Sequence, residues 1–332
     1  MSHRIHIQNG KASMMYVGRA PWHGLGQELD HPATAEEAIS AASLDWEVAK
    51  QPLYAGGEGF AYRVDGKFAI VPTDRWGSEE CPVFGIVGTD YTPLQNRDAF
   101  RFFDPIVGEE AAIYHTAGAL GDGERIWILA KLRGSIKVAD QDISDKYLLL
   151  SNSHDGESSV QVKFTPIRVV CWNTLTMALS KGPTIRAPHT RDMNERLEHA
   201  RRALKLIDDH YRRIEETFKK MAAIKMTPGR LGQYFMTVFP DPSDPADKQG
   251  QRRAAQNREK AAHLFEWGSG NQLSGVAGTL WAAYNGVTEF VDHKPTRQTP
   301  REHLESIWFG DGYLLKARAF EIAKSQIDAW MS

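Results

Sequence analysis

The stretch Arg125-Ile126-Trp127-Ile128-Leu129-Ala130-Lys131-Leu132-Arg133 alternates in steps of two. Ile126, Ile128, Ala130 and Leu132 form one row, and Arg125, Trp127, Leu129, Lys131 and Arg133 form the other. Successive side chains of a strand point to opposite faces, so this is a strand with one face in a core. Similar runs lie at residues 112–117, 147–153 and 159–168, and Asp155-Gly156 is placed for a tight turn between the last two. Together they predict an antiparallel meander.

Upstream, Thr34 with Glu37 three residues on is a capping-box pattern and predicts a short helix to about residue 43. Strands are expected at residues 60–64, 68–71 and 83–87, the first two joined by Asp65-Gly66 as a hairpin turn. Helices are expected at 97–107 and 170–180, with Gly182 just past the second as a C-cap. Beyond it the pattern turns helical. Met193, Leu197, Ala200, Leu204, Ile207, Tyr211, Ile214, Phe218 and Met221 follow a heptad register, so one long helix is predicted over 192–225. Further helices are expected at 251–267, 274–292, 300–308 and 313–331, with Thr227-Pro228 and Thr299-Pro300 as helix starts. The class is therefore α+β: an antiparallel-sheet domain over 1–182 with flanking helices, then a helical domain over 183–332. The heptad helix is either the centre of a bundle within the chain or a seam between chains. Its length favours a homo-oligomer.

The 332 residues are 42% hydrophobic and 25% charged, enough apolar matter for a sizeable core, which excludes whole-chain disorder. The net charge of −2 gives no global field for a polyanion. It conceals a gradient: residues 1–182 carry 17 Lys and Arg against 23 Asp and Glu, whereas 183–265 carry 17 against 11. Two cysteines, Cys81 and Cys171, supply neither a disulfide framework nor a four-cysteine zinc site and suit a reducing cytoplasm. No apolar run approaches the roughly 20 residues of a membrane span, so no membrane association is expected.

Candidate chemistry is sparse. The glycine clusters Gly56-Gly57-Glu58-Gly59 and Gly85-Ile86-Val87-Gly88 lack the contexts of nucleotide-binding loops and read as turns. The twelve histidines show no metal-ligand spacing, so neither metal nor cofactor is expected. Cys171, near a helix start, could be activated by the helix dipole, and His154, Asp155 and Asn173 are polar neighbours in sequence. A strand between them would separate His154 from Cys171 by about 30 Å, so a buried structural cysteine is the simpler reading. The meander offers another site. Trp127 flanked by Arg125 and Lys131, with Lys163 and Arg168 on the last strand, would make a stacking and phosphate-binding platform for single-stranded nucleic acid if that face is open. If a helix covers it, the cations are rim residues.

Several strings carry a resemblance. Pro21-Trp22-His23-Gly24-Leu25-Gly26, Tyr91-Thr92-Pro93-Leu94-Gln95-Asn96 and Leu150-Ser151-Asn152-Ser153-His154-Asp155-Gly156 are three of them. Phe164-Thr165-Pro166-Ile167-Arg168-Val169-Val170-Cys171-Trp172-Asn173-Thr174-Leu175 and Tyr284-Asn285-Gly286-Val287-Thr288-Glu289 are the others. Together they resemble the phage/plasmid-like protein family, domain of unknown function 932. The resemblance implies an origin on phages, prophages or plasmids and brings no catalytic residues with it. The expected function is that of an accessory protein of mobile elements, binding single strands in replication, recombination or repair. The competing expectation is an enzyme or host-takeover factor with a polar pocket around Arg168, Cys171 and Asn173, joined by His154 and Asp155.

Overall fold

The computed structural model describes residues 5–8, 10–18, 25–57, 59–104, 112–168, 185–193, 195, 197, 207–293, 306–307 and 310–331. Its strands are β1 (Ile7–Gln8), β2 (Lys11–Ala12), β3 (Met14–Val17), β4 (Gln27–Leu29), β5 (Val48–Gly57), β6 (Phe60–Pro72), β7 (Gly85–Val87), β8 (Ala112–Leu120), β9 (Arg125–Ala139), β10 (Asp142–Ser153), β11 (Val160–Arg168) and β12 (Ile185–Ala187). Its helices are α1 (Ala35–Ala41), α2 (Asn96–Arg101), α3 (Ile207–Ala223), α4 (Pro228–Val238), α5 (Lys248–Trp267), α6 (Leu280–His293) and α7 (Asp311–Met331). Apart from the short α1 and α2, the strands precede the helices, so the class is α+β.

Seven strands form one sheet in the order β12-β11-β10-β9-β8-β3-β4, and β5-β6-β7 form a second. The four meander strands are neighbours in chain order, as their alternation predicts. β8 pairs antiparallel with β9, placing Gly118 opposite Trp127 and Thr116 opposite Leu129. Ile126, Ile128 and Ala130 are fully buried, but so is the other row at its centre, where Leu129 is 2% exposed. Both faces of this strand are covered over Ile126–Ala130.

By contacts the described chain divides into two compact units. The first takes residues 1–133, 147–164 and 183–205, and the second takes 134–146, 165–182 and 206–332. The expected boundary at 182–183 lies outside the described residues, as does the helix expected at 170–180.

Local signals translate directly. Thr34 caps α1 in a full capping box: its Oγ1 accepts from the Glu37 amide, and the Glu37 carboxylate accepts from the Thr34 amide at 2.8 Å. Thr227 caps α4 with Pro228 in the first turn. Asp65-Gly66, however, is not a hairpin turn. β6 runs through it, and the reversal lies between Gly57 and Phe60. Pro52 pairs with Phe68 and Tyr54 with Arg63, so Leu53 faces the four residues Val64–Lys67, a bulge that Gly66 relieves with φ +70°.

In the helical unit, the described heptad residues Tyr211, Ile214, Phe218 and Met221 are at most 3% exposed. Phe218 packs on Trp281 of α6, ring centroids 4.3 Å apart, and on Phe320 of α7. These four side chains are buried within their own chain; Ala200 and Leu204 of the stripe, and the side chain of Ile207, lie outside the described residues. Among the described residues no helix is long and apolar enough to cross a membrane.

Candidate functional site

Two of the quoted strings, Tyr91–Asn96 and Leu150–Gly156, meet in the first unit around His154. The His154 ring is fully buried between Trp46 and Phe84, with ring centroids at 5.5 and 6.1 Å. Its Nε2 lies 3.0 Å from Asn96 Oδ1, and its backbone amide donates to the Glu124 carbonyl at 2.6 Å. Asn96 in turn donates to the carbonyls of Leu44 and Trp46, and Asn152 to that of Leu94. Because Asn96 spends its amide hydrogens on those carbonyls, its oxygen faces His154 as an acceptor, which places the imidazole hydrogen on Nε2. Burial, then the nearby His189, pushes the His154 pKa down to about 3, so the ring is neutral at pH 7.

A second layer surrounds it. The Tyr91 hydroxyl donates to the Ser153 carbonyl at 3.2 Å, and the Tyr91 ring stacks on His189 at 4.7 Å. His189 Nδ1 lies 3.1 Å from the Thr92 carbonyl, and burial lowers its pKa as well. Asp155 accepts from the Glu157 amide and from Ser153 Oγ, closing the turn between β10 and β11. A Cβ on Gly85 would lie 2.1 Å from the Asp155 carbonyl oxygen, so the small sheet packs backbone to backbone against this turn. The arrangement ties residues 44–46, 91–96, 124, 152–154 and 189 together through hydrogen bonds. With His154 shut off from solvent, it offers substrate no path to the ring.

The residues named from sequence fall as follows. Arg125, assigned to the nucleic-acid platform, and Asp155, assigned to the pocket, face each other as an ion pair at 3.6 Å, and both side chains are mostly buried. Trp127 is 9% exposed, and its Nε1 donates to Thr116 Oγ1 at 3.0 Å. Its ring fills the space above Gly118, where a Cβ would come within 2.4 Å of it. The expected stacking platform is therefore corrected: neighbouring β8 takes up the ring face meant for a base. Lys131 is half-buried. Lys163 is 7% exposed, and burial, then the charge of Arg186, pushes its pKa down to about 8. The side chain of Arg168 and the whole of Cys171 and Asn173 lie outside the described residues. Among the described residues no group of three His, Cys, Asp or Glu side chains could hold a metal ion.

Open aromatic surface lies elsewhere, on the outer half of the β5–β6 hairpin. Tyr54 is 59% exposed, Phe60 57% and Tyr62 68%, and Arg63 is exposed beside them. The register puts Tyr54 opposite Arg63 on one face, while Phe60 and Tyr62 share the other with centroids 5.4 Å apart. The Phe60 ring lies over Gly57, 3.3 Å from where a Cβ would stand. The base of the hairpin is anchored by Lys50, whose ammonium donates to the carbonyls of Gly88, Thr89 and Tyr91 and sits 4.5 Å over Phe68. Glycines on either side of a run of aromatics were the available signal. The strings at 91–96 and 150–156 flagged the buried lock, but nothing local flagged His189.

A model of the family described as Domain of unknown function (DUF932) matches residues 83–308. The chain belongs to this family. The span contains the His154 lock except for Leu44 and Trp46, and it begins after the aromatic hairpin. No curated protein and no solved structure matches this DUF932 chain.

Proposed function

We propose that the protein binds single-stranded nucleic acid, with the outer half of the β5–β6 hairpin as its stacking surface. It would serve in replication, recombination or repair of phage or plasmid elements, the setting that the family resemblance implies. The observation that carries this is the pair of rings Phe60 and Tyr62, more than half exposed on an anchored two-stranded arm, with Tyr54 and Arg63 open on the opposite face. Bases of any sequence present a flat apolar face, and exposed rings on a rigid support stack against them without demanding sequence. Residues 52–67 carry Arg63 and Lys67 against Glu58 and Asp65, so the arm has no net charge. Stacking rather than phosphate neutralisation must supply most of the affinity.

The test is a titration of a fluorescent oligonucleotide at two salt concentrations. Tyr62→Ala should weaken binding by roughly 5- to 150-fold, the usual worth of one stacked base. Two cations at most touch phosphates, so the log–log salt slope should lie between about −0.7 and −1.4. Absence of binding by the wild type at micromolar protein and low salt overturns the proposal. So does binding that ignores Phe60→Ala and Tyr62→Ala together.

A further inference from the structure

The helical unit holds a cleft of about 590 Å³ between α5, α7 and the loop after α4. Its lining has two chemical halves. Phe239, Leu314 and Pro242 give it apolar walls, while Arg253, Asn257, Arg318 and Asp311 bring polar groups to it. Arg253 and Asn257 are four residues apart on α5 and so lie one turn above the other on a single helix face. The size falls in the range of small-molecule sites.

The walls are held in place. Arg258 donates to the Phe239 carbonyl and to Asp241, both at 2.8 Å, and Arg318 donates to the Val238 carbonyl. Asp247 accepts from the Gly250 amide at 2.8 Å and caps α5. A Cβ on Gly250 would stand 2.2 Å from Asp247 Oδ2 and 3.1 Å from Pro242 Cγ, so the loop closes on the helix only over glycine. Such a site is built before any ligand arrives.

Two arginines against one aspartate favour an anion. A purely apolar carboxylate would leave Asp311 facing it with nothing to accept. A ligand with an anionic end, a flat apolar body and hydrogen-bond donors at its far edge satisfies every group present. We infer that the cleft binds a nucleoside monophosphate, with the phosphate on Arg253 and Arg318, the base between Leu314 and Phe239, and the base edge on Asn257 and Asp311. This site stands independently of the aromatic arm.

Calorimetric titration of the full chain with each of the four nucleoside monophosphates, with the nucleosides and with inorganic phosphate tests it. At least one monophosphate should bind one-to-one with a Kd below about 1 mM. The matching nucleoside and inorganic phosphate should each bind at least about 10-fold more weakly, since each lacks half of the contacts. Arg253→Ala, an exposed helix position where alanine keeps the helix, should weaken the nucleotide by about 10- to 100-fold with no change in Tm. Three results overturn the assignment: no monophosphate binding at millimolar concentration, phosphate binding as tightly as the nucleotide, or an Arg253→Ala variant that binds like the wild type.

Discussion

Acidification from pH 7 to pH 5 should destabilise the first unit through His154. The imidazole is sealed between Trp46 and Phe84, and its pKa in the folded chain is pushed down to about 3 from an ordinary 6.5. Between those two values the unfolded chain carries a proton on this ring that the folded chain does not. Stability from this group is therefore complete above about pH 6.5 and is lost as the pH falls towards 3. With an unfolded pKa of 6.5, the protonation free energy gained by the unfolded chain is RT ln(1 + 10^(6.5−pH)), which grows by about 2 kcal/mol from pH 7 to pH 5. His189 and His6 have pKa values lowered chiefly by burial and push in the same direction. Urea unfolding at pH 7, 6 and 5, on the wild type and on His154→Gln, isolates the share of His154, because every other titration is common to both proteins. The variant should lose about 2 kcal/mol less over this range, whatever its stability at pH 7. An NMR titration of the wild-type ring supplies a second reading and should show no protonation above pH 4. Equal pH dependence in the two proteins, or a ring that titrates near 6.5, would refute the reasoning.

Other perturbations separate structural from binding residues. Trp127→Ala should cost about 3–5 kcal/mol in urea unfolding while leaving oligonucleotide affinity unchanged, the reverse of Tyr62→Ala. Gly118→Ala should cost about 1–3 kcal/mol, since its Cβ would stand 2.4 Å from the Trp127 ring and 2.7 Å from the Ser13 carbonyl. In the helical unit, Lys316 Nζ lies 2.6 Å from Asp292 Oδ1, with the two side chains 0% and 5% exposed. Lys316→Met should therefore cost about 3–5 kcal/mol by removing the cation of a buried ion pair, and adding Asp292→Leu should restore part of it, both read from thermal melts.

What the sequence determined by itself is what neighbours along the chain determine. The capping box of Thr34 and Glu37, the Thr227-Pro228 helix start and the period-two alternation of the meander are interactions spanning a few residues, and each produced its element. The strings at 91–96 and 150–156 marked important positions without saying what they do, because their hydrogen bonds join residues 58 apart. Tertiary structure decided the rest. Alternation shows that Trp127 and Ile126 face opposite ways, but only the glycine on the adjacent strand makes room for the indole and removes it from solvent. A heptad stripe requires an apolar partner, and for Phe218 the fold chose α6 and α7 of the same chain. Asp65-Gly66 is compatible with a turn or a bulge, and the cross-strand partners of Pro52 and Tyr54 selected the bulge. Arg125 and Asp155 each suggested a site of its own, yet the fold set them against each other, since a charge drawn out of water settles on the nearest opposite charge that folding provides.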